Sequence, residues 1–158
     1  MATKKPQRVF VFKVALKSSK RIWRRIAIGG DQTLDDLHEA IYSAFDRDDE
    51  HLYSFYILRP GSRGRNRLQG AAEFAHPAVL EDVGPFERGP LKNAATTKIE
   101  SLRLIVGQSL EYLFDFGDEW WHELTVEAVD GEADDMLYPR VIERKGESPP
   151  QYPDHDDE

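Results

Sequence analysis

Residues 8–28 read Arg-Val-Phe-Val-Phe-Lys-Val-Ala-Leu-Lys-Ser-Ser-Lys-Arg-Ile-Trp-Arg-Arg-Ile-Ala-Ile. Phe10, Phe12, Val14 and Leu16 recur at every second position, the spacing that places side chains on one face of a strand. Ile22, Ile26 and Ile28 do the same, with Trp23, Arg25 and Ala27 facing the other way. The polar stretch Lys17-Ser18-Ser19-Lys20 between the runs predicts a turn, and the whole a β-hairpin. Arg24 falls on the apolar face of the second run. It implies either an edge position or a guanidinium with internal partners.

Beyond this hairpin, Gly29-Gly30-Asp31 ends the strand. Thr33 is suited to an N-cap, because its hydroxyl can accept a backbone N–H, and Asp35 and Asp36 occupy the first turn, where the helix dipole favours acids. Leu34, Leu37, Ile41, Ala44 and Phe45 follow helical spacing to about residue 46. Asp46 to Glu50 reads as a solvated connection, and His51 to Leu58 as a strand. Residues 59–70 form a basic, glycine-containing loop. The stretch 71–96 carries Pro77, Pro85 and Pro90, so only short elements are expected, around Phe74 and Val79–Val83. Helical spacing returns weakly over Lys98–Leu104. Leu110, Tyr112, Phe114 and Phe116 then alternate, as do Trp120, His122, Leu124 and Val126, giving a second hairpin about Gly117-Asp118. Arg140–Glu143 allows a last strand. The expected class is α+β: a mixed sheet with a helix packed across it, a β-grasp-like start (strand, strand, helix, strand), an irregular insert and a C-terminal hairpin. The boundaries read as one domain over 1–146, with the insert at about 59–96, and a proline-rich acidic tail at 147–158 packed in part on that domain.

The 158 residues include no cysteine, which excludes disulfides and thiolate metal sites and suits a cytoplasmic location. The N-terminus lacks a signal-peptide pattern, and no apolar run nears the roughly 20 residues that span a bilayer, so no membrane role is expected. The formal charge of −8 disfavours a general nucleic-acid binder, whose affinity comes from neutralised phosphates. Five acidic residues and no lysine or arginine follow from Glu147 onward. Basic residues gather at 17–25 and again at 59–67, leaving room for a local anion patch. Trp23, flanked by Arg24 and Arg25, with Arg63, Arg65 and Arg67, is the candidate nucleic-acid contact. Folding accounts for the same residues as a second-layer tryptophan with solvated arginines.

The densest chemistry lies in Tyr112-Leu-Phe-Asp-Phe-Gly-Asp-Glu-Trp-Trp-His122. Asp115, Asp118 and His122 are candidate ligands for a divalent metal, with His38 or His51 completing the set; carboxylates with imidazole suit zinc, manganese or iron. Asp118, His122 and His38 are the metal candidates, and Asp115, Trp120 and His51 belong to the same candidate site. The competing explanation is structural: aspartates bonding turn N–H groups, Gly117 supplying an unusual backbone angle, and Trp120 and His122 as core. His38 with Glu39 is read either as an acid–base pair or as a boundary histidine covering the core.

Three segments in order, Ile22-Trp23-Arg24-Arg25-Ile26, Thr33 to Leu52 and Asp115-Phe-Gly-Asp-x-Trp-x-His122, resemble the plasmid open-reading-frame-three-like proteins, also labelled insertion-element passenger proteins of the TnpR type. The resemblance covers most of the chain outside 59–96. It implies an α+β domain found in mobile-element and chromosomal settings, without an established activity. The family's cysteine-containing ending is matched only by Tyr138-Pro139 and Pro149-Pro150. Serine recombination needs an activated serine and a basic DNA-binding module, and neither is legible. The leading expectation is an interaction or accessory module with a protein partner and no complete catalytic set. The alternatives are a metal-dependent hydrolase or nuclease and a nucleic-acid-binding accessory protein.

Overall fold

Phe10, Phe12, Val14 and Leu16 fall on one face of strand β1 (Val9–Leu16), each no more than 1% exposed. The computed structural model of the chain describes residues 8–82 and 91–152. Strand β2 (Trp23–Gly29) pairs antiparallel with β1, in register from Ala15 opposite Trp23 to Val9 opposite Gly29. Helix α1 (Leu34–Ala44) follows and buries Leu34, Leu37, His38, Ile41 and Ala44. Its start is a full capping box: the Thr33 hydroxyl accepts the Asp36 N–H, and the Asp36 carboxylate accepts the Thr33 N–H. Such a cap contributes about 1 kcal/mol.

Strand β3 (Tyr53–Ile57) starts two residues later than the sequence run suggests, so His51 precedes it. The insert contributes β4 (Ala72–Ala75), a short helix α2 (Pro77–Asp82), and the two-residue β5 (Lys92–Asn93). The expected element at Val79–Val83 is thus helical as far as Asp82, and Val83 lies outside the described residues. The weak helical spacing after Lys98 becomes a single 3-10 turn, Ile99–Leu102. Strands β6 (Ser109–Phe114), β7 (Trp120–Gly131) and β8 (Arg140–Lys145) complete the set.

All eight strands join one open sheet in the order β5-β4-β3-β6-β7-β1-β2-β8. Neighbours are antiparallel except β4 with β5, so the sheet is mixed. The opening order of two strands, helix and strand matches the expectation, but β3 pairs with β6 rather than with the first hairpin. α1 packs on the face carrying Phe12, Ile26, Phe55, Tyr112, Phe114 and Leu124, where the core forms. Fully burying each such side chain stabilises the fold by about 2 kcal/mol.

Arg24 resolves the interruption of the β2 pattern. β2 is not an edge, since β8 lies outside it. The guanidinium is 1% exposed and donates to the carbonyls of Ala44, Trp23 and Lys145 at 2.9, 2.9 and 3.0 Å. Helix α1 has no basic residue in its last turn, so Arg24 supplies from the sheet the cation that a helix C-terminus favours.

The β6–β7 turn differs from its sequence reading. Gly117 is not the residue with the special backbone angle. Asp115 and Glu119 adopt the left-handed conformation, at φ 66° and 54°. Asp115 is held there because its Oδ1 accepts the N–H groups of Gly117 and Asp118. Phe116 lies beyond the end of β6 and is exposed rather than stacked with Phe114.

Candidate functional site

The motif residues divide between two neighbouring clusters and the turn. His122 is fully buried on β7, opposite Tyr112 in the β6–β7 register. Its Nε2 lies 3.1 Å from Nη2 of Arg47, and its Nδ1 lies 3.3 Å from the Tyr112 carbonyl oxygen. Arginine can only donate, so Nε2 accepts and the ring proton sits on Nδ1. Burial, and then the Arg47 charge, push the His122 pKa down to about 3. In this geometry Nε2 faces the Arg47 cation and Nδ1 the Tyr112 carbonyl, so neither ring nitrogen of His122 is turned toward Asp118 or His38.

Arg47 itself was assigned to a solvated connection. It is instead 5% exposed, with its guanidinium over the rings of Trp120, Phe114 and Phe45 at 4.8, 5.2 and 5.7 Å. Trp120 is half-buried, and its indole N–H finds no acceptor among the described residues. Asp118 is exposed at the turn, so it does not converge with His122.

On the other side of Tyr112 stands His38, 1% exposed and stacked on Tyr53 at 4.0 Å between centroids. Its Nδ1 lies 2.6 Å from the Tyr112 hydroxyl and its Nε2 lies 3.2 Å from Glu50. With a carboxylate accepting at Nε2, the hydroxyl of Tyr112 donates to Nδ1, giving a Tyr112–His38–Glu50 chain. Burial pushes the His38 pKa down to about 4 despite the nearby Glu39 and Asp35 carboxylates. Asp35, His38 and Glu39 each present a ligand atom, all within 4.8 Å of one another. The Tyr53 hydroxyl donates to Asp35 at 2.6 Å and holds that carboxylate in place. His51 is separate: its Nε2 faces the Tyr152 hydroxyl at 2.7 Å and Asp115 at 3.5 Å. It lines a depression of about 340 Å³ with Glu50, Leu52 and His76.

The candidate nucleic-acid contacts also separate. Arg24 is buried and donates to three carbonyl oxygens. Trp23 lies on the opposite face of the sheet under Lys13 and Arg25, and Arg25 is paired with Glu127 and Glu143. Arg67 grips Glu111 through both Nε and Nη2, and Lys17 reaches the same carboxylate at 3.1 Å. Glu111 is 2% exposed. Burial alone would raise its pKa, but the bonds from Arg67 and Lys17 outweigh it and hold the carboxyl below the usual range. Around this pair opens a pocket of about 310 Å³, with Lys20, Arg63 and Arg65 also on its wall. Arg63 and Arg65 are exposed. Glu111, Arg47 and Glu50 were not singled out from the sequence. Only Glu111 left a trace there, as an acid inside an otherwise apolar strand.

One open, mostly antiparallel eight-stranded sheet covered on one face by a helix defines an α+β protein. The chain belongs to the plasmid pRiA4b ORF-3-like protein family, whose sequence model matches residues 8–152. It is 27% identical over 134 residues to the uncharacterized protein y4hQ of Sinorhizobium fredii, covering 82% of this chain and 58% of that protein. The chain therefore spans little more than half the length of that relative. The fold is shared with the crystal structure of MM3350, a protein of unknown function from Methanosarcina mazei Go1, at a TM-score of 0.70 and 23% identity. That match covers 92% of this chain and 74% of the other. Among the described residues no helix is long and apolar enough to cross a membrane.

Proposed function

We propose that the protein is an accessory binding module that takes a small phosphate-bearing anion in the pocket around Glu111. The observation that carries this reading is a local reversal of charge. Five basic side chains, Lys17, Lys20, Arg63, Arg65 and Arg67, face two carboxylates there, on a chain whose formal charge is −8. Glu111 fixes Lys17 and Arg67, so part of the cationic wall is ordered before a ligand arrives, and Lys20 pairs with Glu123 at 3.2 Å. Arg63 and Arg65, unpaired among the described residues, supply guanidinium groups suited to phosphate oxygens. The pocket volume fits a small ligand, and the acids over the rest of the chain repel a long polyanion. A binding role is favoured over catalysis because among the described residues no histidine lines the pocket and its buried carboxylate is committed to two cations.

Calorimetric titration with inorganic pyrophosphate and with a nucleoside triphosphate tests the reading. Saturable, salt-sensitive binding is expected, weakened about fivefold in Arg63→Ala/Arg65→Ala, since two exposed charge-assisted contacts are worth roughly 1 kcal/mol together. Failure of either anion to bind, or affinity unchanged in the double variant, would overturn it. A single-stranded oligonucleotide binding far more tightly through the same arginines would transfer the site to nucleic acid.

A second reading rests on Asp35, His38 and Glu39, whose spacing suits a divalent cation such as zinc or manganese. Ligation at Nε2 would need the other His38 tautomer, in which Nδ1–H donates to the Tyr112 hydroxyl and the Glu50 bond is given up. Zinc chloride titrated into chelator-treated protein is expected to bind at one equivalent, and Glu39→Gln to weaken it at least about tenfold. Binding that is absent, or indifferent to Glu39→Gln, removes this reading.

A further inference from the structure

Buried polar groups in folded proteins are nearly always paired, and a buried charge without a counter-charge is among the costliest arrangements a core can hold. The Arg47 guanidinium breaks both expectations. Its Nη2 reaches His122, but Nε and Nη1 have no acceptor among the described residues. Among the described residues no carboxylate is among the charges acting on it, and burial lowers its pKa to about 10. Three aromatic rings lie against the guanidinium, which offsets part of the cost, about 0.5–2 kcal/mol for each cation–π contact. Rings satisfy the faces of a guanidinium and leave its edges, where the N–H groups point, unanswered. The Trp120 indole N–H, on the ring nearest Arg47, is likewise unpaired.

We infer that Arg47 and Trp120 form a receptor for a single small carboxylate. One positive charge calls for one negative charge, and the unpaired donors are satisfied by the in-plane lone pairs of a carboxylate. His122 fixes the guanidinium from its other side and, being neutral, leaves that positive charge uncompensated. Trp120 is half-buried although its Nε1 is enclosed, so its ring is the part of the site nearest solvent. The chain on either side of Arg47 is fastened by the C-terminal stretch: Ser148 donates to the Phe45 carbonyl at 2.7 Å, and the Gln151 side chain accepts the N–H groups of Asp48 and Asp49 at 2.7 and 3.0 Å. This bracing holds the arginine in place whether or not its charge is answered.

The test is an NMR titration of the intact chain with sodium acetate and with sodium formate, against sodium chloride at constant ionic strength. The Arg47 Nε–H and Trp120 indole N–H signals should shift together and saturate, and thermal stability should rise with the logarithm of acetate concentration. Arg47→Met should stay folded, since an apolar side chain replaces an uncompensated cation, and should lose the acetate response. Arg63→Ala/Arg65→Ala should keep it, which separates this site from the phosphate pocket. Signals unmoved by either carboxylate, an equal response to chloride, or an acetate response retained in Arg47→Met would each overturn the inference. The wild-type titration decides the matter even if the methionine variant does not fold.

Discussion

Lowering the pH from 7 to 5 is expected to remove about 4 kcal/mol of folding stability, through His38 and His122 together. Both are buried, and both have folded pKa values, about 4 and about 3, well below the ordinary value of 6.5. The folded state refuses a proton that the unfolded state accepts. The stability is therefore fully present above about pH 6.5 and declines as the pH falls toward the folded values. Each histidine contributes about 1.4 kcal/mol per pH unit within that window. A total of 4 kcal/mol is a large part of the 5–15 kcal/mol typical of a domain. Urea denaturation at half-unit steps between pH 7.5 and 4.5 measures the slope. His122→Gln, whose amide oxygen still accepts from Arg47, should roughly halve it. Glu111 cannot imitate the effect: its depressed pKa affects stability only below about pH 4.5. A flat stability profile between pH 7 and 5 would show that the two rings take up protons in the folded state as readily as in the unfolded state.

Arg24→Ala is expected to cost about 3–4 kcal/mol at pH 7, the largest effect of any single charged-residue truncation considered. Three carbonyl oxygens lose a charged donor at once, and the stem leaves a gap against Phe45, over which the guanidinium lies at 4.9 Å. A buried acceptor left unpaired costs about 1–3 kcal/mol, less for the partly wet Trp23 and Lys145 carbonyls. Arg24→Lys should recover only part of the loss, because a point-like ammonium on a shorter stem cannot bridge α1, β2 and β8 together. Chemical denaturation of the two variants is the measurement. A loss below about 1 kcal/mol in the alanine variant would mean that the carbonyls find other donors and that Arg24 does not fasten the helix to the sheet.

Much of the architecture was legible because strands and helices impose short-range periods. Phe10 to Leu16 and Leu34 to Phe45 declare their buried faces within one or two turns of chain, and Thr33 with Asp36 is a capping box readable from four residues. The site was less legible. Arg24 sat visibly on an apolar face, so a partnered guanidinium was a fair reading, but two of its three acceptors lie 20 and 121 residues away. Arg47 lay among acids that suggested solvent, and nothing local announced three aromatic rings. Gly117 was given the turn's special angle on composition, whereas the carboxylate of Asp115 stabilises its own left-handed backbone by two hydrogen bonds. A polar residue beside glycine can take that conformation when its side chain bonds the following N–H groups.

By itself, the sequence determined the α+β class, the first hairpin, the helix with its cap, the pairing of Leu110–Phe114 with Trp120–Leu124, and the family. Those features follow from side-chain spacing and from motifs a few residues long. Tertiary structure alone decided which charged groups are committed and which remain available. Arg24, Arg25 and Arg67 are paired or buried, Arg63 and Arg65 are exposed, and Arg47 is buried without a counter-charge. The reason is that a charge finds its partner through space across strand order and helix placement, and the β5-β4-β3-β6-β7-β1-β2-β8 order brings together residues 44 to 121 positions apart.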